Sequence, residues 1–344
     1  MLVGLVGKPS SGKSTFFQAL TSIPVERSAR PFTTIKPNRG VAYVEIECVD
    51  KEFNVQCNPR SGYCVEHRRF APVEVLDVAG LVPGAHEGKG LGNKFLDDLR
   101  QADLLIHIVD ASGSTNANGE AVETGSHDPV EDVRFLEEEL NQWCFGILDS
   151  NWNKLVREAN LNKKNEEIMF IQFTGLGMKR DVVQKALSAL NLFDKQLNQW
   201  TNDEKKGFCR KLRELGKPII IAANKCDLNA AEKNITRLKE AFPTYLIVPC
   251  SAEAEITLKS AAKNGFIKYI PGDASFEIIK ELNDGQKKAM TLLQGVLQKF
   301  NGSGVQKLLN AAGFDFLRYI AIFPGGVNKL ADSQGNILPD VFLL

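Results

Sequence analysis

Residues 2–14 read LVGLVGKPSSGKS, and the rest of the chain can be placed outward from them. The apolar run at 2–6 predicts a short buried strand. Gly7, Lys8, Pro9, Ser10, Ser11, Gly12, Lys13 and Ser14 then satisfy G-x-x-x-x-G-K-[ST], and helix-forming residues follow over 13–21. In this strand–loop–helix context, glycines let backbone N–H groups curl around phosphates and the helix N-terminus adds its positive end. Lys13 is expected to reach the β- and γ-phosphates, and the Ser14 hydroxyl to bind Mg²⁺. Thr15, at the start of the helix, completes the phosphate-binding set.

Further strand-length apolar runs lie at 41–46, 73–76, 104–109, 219–223 and 246–248, separated by helical stretches. That alternation predicts an α/β fold with a mostly parallel sheet and its sites at the carboxyl ends of the strands. Between 113 and 215 the rhythm breaks. Val133, Leu136, Leu140, Trp143 and Ile147 recur at helical spacing, as do Val183, Ala186, Leu187 and Leu190. Thr201 with Glu204 fits a capping box for a third helix. Residues 113–212 are therefore expected to form a helical insertion with its own small core. Residues 1–112 and 213–318 form the two parts of the nucleotide domain, the second ending in helices near 282–300 and 305–317.

Residues 77–92, DVAGLVPGAHEGKGLG, supply the chemistry next to the phosphates. Asp77 ends a strand, where a carboxylate can hold Mg²⁺, and Gly80 can offer its N–H to a γ-phosphate. Four more glycines follow by Gly92, which suits a segment ordered by that phosphate. Leu81 stands where switch GTPases carry a water-orienting glutamine, so turnover is expected to be slow. His86 is the candidate for placing the water instead. Upstream, PFTTIKPN at 31–38 offers Thr33 or Thr34 to the metal, and spacing does not choose between them.

Asn224-Lys225-Cys226-Asp227 follows the apolar run PIIIAA. The Asp227 carboxylate can accept from the ring N–H and the exocyclic amine of guanine, donors that adenine lacks in that arrangement. Lys225 can lay its stem along the base, Asn224 can tie this loop to the phosphate loop, and Ser251-Ala252 can offer an N–H to the guanine carbonyl. Coming about 210 residues after a phosphate loop, this motif makes the expected ligand GTP.

DVAGLVPGAHEGKGLGNKFL together with PFTTIKPNRG resembles the Obg-related GTPases, especially their YchF (Obg-like ATPase) branch, over nearly the whole chain. The resemblance implies a Ras-like P-loop G domain with a large helical insertion, hydrolysis without the glutamine, and a partner in the ribosome or ribosomal RNA. It also favours Thr34 over Thr33. YchF proteins typically alter the base-reading motif to accept ATP, whereas NKCD here implies guanine. Members with P-N-V-G-K-S use the asparagine for potassium, and Ser10 replaces it here. Such proteins usually end in a TGS module, of which 319–344 would be the start.

The 344 residues carry 42 basic and 42 acidic side chains, so no global field draws the chain to nucleic acid. Seven cysteines, an odd number in a long chain, favour a reducing compartment, and a cytoplasmic monomer without a membrane span is expected. Cys48, Cys57, Cys64 and His67 match a zinc site in number and type, but spacings of nine, seven and three fit no C-x₂₋₄-C knuckle. Free thiols in a strand–loop–strand insertion are expected instead. His107 is expected in the core, and HRRF (67–70) and Glu137–Glu139 on solvated faces.

Overall fold

The computed structural model describes residues 1–24, 38–78, 80, 81, 84, 98–161, 163–325 and 330–344. Strand β1 (Leu2–Val6) lies inside a seven-stranded sheet, parallel to β4 (Arg68–Asp77) on one side and to β5 (Leu104–Asp110) on the other. Strands β6 (Ile219–Asn224) and β7 (Ile247–Pro249) extend the parallel run. Beyond β4 the sheet turns antiparallel with β2 (Asn38–Glu47) and β3 (Tyr63–Val65). The runs LLIHIVD and IIIAAN are unbroken because every residue of β5 and β6 is buried, with helices on both faces. Gly7, Asp77, Asp110, Asn224 and Ser251 all fall at the carboxyl ends of the parallel strands, so the topology gathers them on one edge.

Helix α1 (Lys13–Thr21) buries Phe16, Phe17, Ala19 and Leu20 against one sheet face, in a core shared with Val3, Leu5, Leu104 and Ile220. The other face packs on Leu136 and Leu140 of α2 (Pro129–Ser150). Asp128 caps α2 by accepting from Val130 N–H, and a proline opens its first turn. At 22 residues, about 33 Å long, α2 is a strut between two cores. Its first half packs on the sheet, while Cys144 and Leu148 enter a separate helical core with Met169, Phe173, Leu187, Phe208 and Leu212. That core is closed by α3 (Trp152–Ala159), α4 (Asn165–Thr174), α5 (Arg180–Ala189) and α6 (Asn202–Gly216), the last opened by the Thr201–Glu204 capping box.

Two surface expectations are corrected. Arg69 of HRRF is fully buried, and Arg68 is paired with Glu45 and Asp273. Glu139 is buried too, and its carboxylate accepts from Gly84 N–H at 2.7 Å, tying the segment after Asp77 to α2. Residues 113–127, which read as a polar, glycine-containing loop at the start of the expected insertion, form a loop against Lys8 and Pro9. His107 does lie in the core, where burial holds it down at about 4 and therefore neutral. Near the C-terminus, α7 (Ala231–Ala241), α8 (Ala252–Lys263), α9 (Asp284–Phe300) and α10 (Val305–Ala311) follow, the last running into a π turn at Ala312–Phe316. Among the described residues, no helix is long and apolar enough to cross a membrane.

Candidate nucleotide site

The loop from Gly7 to Gly12 needs its glycines for different reasons. Gly7 and Gly12 both have positive φ, 149° and 95°. A Cβ on Gly7 would collide with the carbonyl of Ile108, and one on Gly12 with the Asn224 side-chain amide. Ser10 adopts φ 60°, and Ser11 Oγ donates to the Lys8 carbonyl at 3.0 Å, closing the turn. Lys13 Nζ also donates to Lys8 O, at 3.1 Å. Burial pushes the Lys13 ammonium below its usual range, against the pull of Asp77.

Ser14 Oγ donates to Asp77 Oδ2 at 3.1 Å, so two of the proposed metal-binding groups meet. Asp77 is fully buried and its Oδ1 has no hydrogen-bond partner among the described residues. Burial raises its pKa despite the Lys13 charge and the Ser14 hydroxyl. A buried carboxylate oxygen without a partner, beside the Ser14 hydroxyl, is an oxygen donor set that fits Mg²⁺. Thr34 and His86 lie outside the described residues.

Leu81 is 2% exposed and packs with Val6, Leu76, Leu99 and Leu105. Its N–H donates to Gly7 O at 3.1 Å, and a Cβ on Gly80 would press on Pro9. The position that carries glutamine in switch GTPases therefore supports the phosphate loop from below, with its side chain in the core rather than towards a water.

Asn224 links the two halves of the site. Its Nδ2 donates to Ser11 O at 3.1 Å, and its Oδ1 accepts from Ala252 N–H at 3.2 Å. Cys226 N–H donates to Cys250 O, joining the base loop to the loop before α8. Ser251 caps α8 through Ala254 N–H, and Asp227 is exposed beside them. Lys225 has φ 61°, and its Nζ forms an ion pair with Asp110 at 2.8 Å.

Asp110 escaped the sequence reading. Fully buried, it accepts from Ser112, Ser114, Thr115 and Lys225, and so organises the loop at 111–127. That loop covers the phosphate loop: Gly119 is pressed onto Pro9, and Lys8 Nζ donates to Thr115 O at 2.7 Å while pairing with Asp132 at 2.9 Å. Asp132 in turn meets His127 at 2.8 Å. The available signal was positional, since Asp110 ends β5 as Asp77 ends β4.

Known proteins resemble the chain over its whole length. The family model for 50S ribosome-binding GTPases matches residues 2–141. The model described as the Obg-like GTPase YGR210-like, G4 motif-containing domain matches 222–326, which includes Asn224–Asp227. An uncharacterized GTP-binding protein of Methanocaldococcus jannaschii is 49% identical across 100% of this chain and 86% of its own length. The crystal structure of a GTP binding protein from Pyrococcus horikoshii OT3 superposes with a TM-score of 0.77 and 36% identity, over 100% of this chain and 86% of that one. A ribosome-binding ATPase YchF of Mycoplasma pneumoniae is 31% identical over 76% of this chain and 69% of its own length. The chain belongs to the Obg-related P-loop GTP-binding proteins, in the group that includes the YchF proteins.

Proposed function

We propose that this chain is a Mg²⁺-dependent, guanine-selective switch that converts GTP slowly to GDP and phosphate. The observation that carries the proposal is Asn224, whose one amide joins the phosphate loop at Ser11 to the base-side loop at Ala252. Phosphate and base are then sensed by one connected structure. Gly7–Thr15 and the helix N-terminus hold the phosphates, Lys13 neutralises the charge that develops on them, and Gly80 offers an N–H to the γ-phosphate. Ser14, Asp77 and Thr34 would hold Mg²⁺, which when bound would supply positive charge next to the phosphates. Asp227 reads guanine, with Lys225 against the base and Ser251-Ala252 facing its carbonyl.

Slow turnover rests on Leu81. With that side chain in the core, water orientation falls to His86 or to a partner. The name of the Mycoplasma relative makes the ribosome the partner to test, and the helical lobe built on α2 is the surface to offer it. Single-turnover hydrolysis of Mg·GTP, with and without purified ribosomes, tests this. The expected intrinsic rate is on the order of 10⁻⁴–10⁻³ s⁻¹, as for a GTPase without its activating partner, with at least a tenfold rise when ribosomes are added. Tight GTP binding without cleavage in either condition would make the chain a nucleotide-gated binding module, the reading that Leu81 also favours.

A further inference from the structure

Between β2 and β3 the chain leaves the sheet for residues 48–62, and after β3 a tight turn at Glu66 and His67, both at positive φ, leads into β4. This excursion has one short 3₁₀ turn, Val49–Lys51, and a small apolar cluster in which Cys48, Cys57 and Leu338 are the buried members. So little apolar surface gives little to hold a long loop in one shape. What the excursion concentrates is sulfur and carboxylate. One ligand atom each from Cys48, Asp50, Cys57 and Cys64 lie within 4.8 Å of one another. Cys48 and Cys57 Sγ are 3.5 Å apart, and Cys64 Sγ is 3.7 Å from Asp50 Oδ2.

These separations suit one occupant. A disulfide needs its sulfurs at about 2.05 Å. Around a tetrahedral cation with Zn–S near 2.3 Å and Zn–O near 2.0 Å, ligand atoms stand roughly 3.5–3.8 Å apart. Three thiolates and one carboxylate form a closed, soft set that suits zinc and disfavours Mg²⁺ or Ca²⁺. Outer partners hold the carboxylate in place: Cys57 N–H donates to Asp50 Oδ2 at 2.9 Å, and His67 Nδ1 lies 2.9 Å from Asp50 Oδ1.

Arg69 supplies an independent observation. It is fully buried, and its guanidinium donates to the carbonyls of Leu338 and Pro339 and, at 3.5 Å, to Cys57 Sγ, with no carboxylate among these partners. A buried cation without an anion is costly. Three thiolates and a carboxylate around a divalent ion carry two net negative charges, which Arg69 would partly balance.

We propose that Cys48, Asp50, Cys57 and Cys64 bind one structural zinc ion, which fixes the excursion and, through it, the C-terminal segment that docks there. Asn58 N–H donates to Ile337 O at 2.8 Å, and Arg60 pairs with Asp332 and Asp340, so the metal-bound loop clasps residues 332–340. The expected spacing of a knuckle is missing because the sulfurs come from a strand end, a loop and the returning strand.

The test measures metal in the full chain, purified without chelator and with reductant. One zinc per chain is expected. Replacement by Co²⁺ should give thiolate-to-cobalt charge transfer in the near ultraviolet and intense visible bands of tetrahedral cobalt. Cys57→Ser should lose both signals and Cys144→Ala, in the helical core, should keep both. His67→Gln should keep the stoichiometry while weakening affinity about 10- to 100-fold. Substoichiometric metal with no cobalt charge transfer in the unsubstituted chain would overturn the proposal, whatever the variants do. So would a Cys48–Cys57 disulfide found by mass spectrometry in the protein as isolated from cells.

Discussion

An Asp227→Asn chain is expected to lose about 10³- to 10⁴-fold in GTP affinity and to accept XTP in its place. A carboxylate receives both guanine donors, the ring N–H and the exocyclic amine, through charge-assisted bonds worth roughly 1.5–3 kcal/mol each. An amide keeps one acceptor and turns a donor towards the other guanine donor, so one bond is lost and a repulsive contact replaces it. Xanthine carries a carbonyl in place of the amine, which the amide donor matches. Asp227 is exposed, so the substitution should change stability by less than about 0.5 kcal/mol. Competition against a fluorescent guanine nucleotide reads the effect, and unchanged GTP affinity would remove Asp227 from the base site.

Lys13→Met is expected to stabilise the nucleotide-free chain while disabling it. Lys13 is 8% exposed, its ammonium donates to the Lys8 carbonyl, and burial lowers its pKa. Holding that charge in place costs free energy which methionine, of similar length and apolar, avoids. Stability without nucleotide should rise by about 1 kcal/mol, or roughly 2 °C in melting temperature. GTP affinity should fall by about 10²- to 10³-fold, because a preorganised cation next to the phosphates is lost. A thermal melt with and without Mg·GTP reads both at once. A fall in nucleotide-free stability would mean that Lys13 is held for the fold rather than for phosphate.

The parts of the site legible in sequence are those whose chemistry demands a local pattern. Gly7 and Gly12 are fixed by backbone conformation, and Asn224 by the strand end it occupies, so eight residues and four residues suffice to place them. The parallel sheet was legible for the same reason, in unbroken apolar runs such as those of β5 and β6. Features made by distant packing were not. Asp110 looks like any carboxylate at a strand end until residues 111–127 fold back over Pro9. The apolar spacing of α2 gives a single helical face and does not reveal that its two halves serve different cores. Arg69 reads as a solvated charge because Leu338 and Pro339, which bury it, lie about 270 residues away. Leu81 reads in sequence only as the absence of a glutamine, whereas the fold gives it a positive role as a core residue under the phosphate loop.

The central claim is that this site selects guanine although the Mycoplasma relative carries ATPase in its name. Equilibrium competition of GTP against ATP, in Mg²⁺ and on the unsubstituted chain, tests it most directly. Because the Asp227 carboxylate matches two donors that adenine lacks, GTP should displace the probe at concentrations at least about 10³-fold lower than ATP. Displacement by ATP at concentrations similar to GTP would contradict the account.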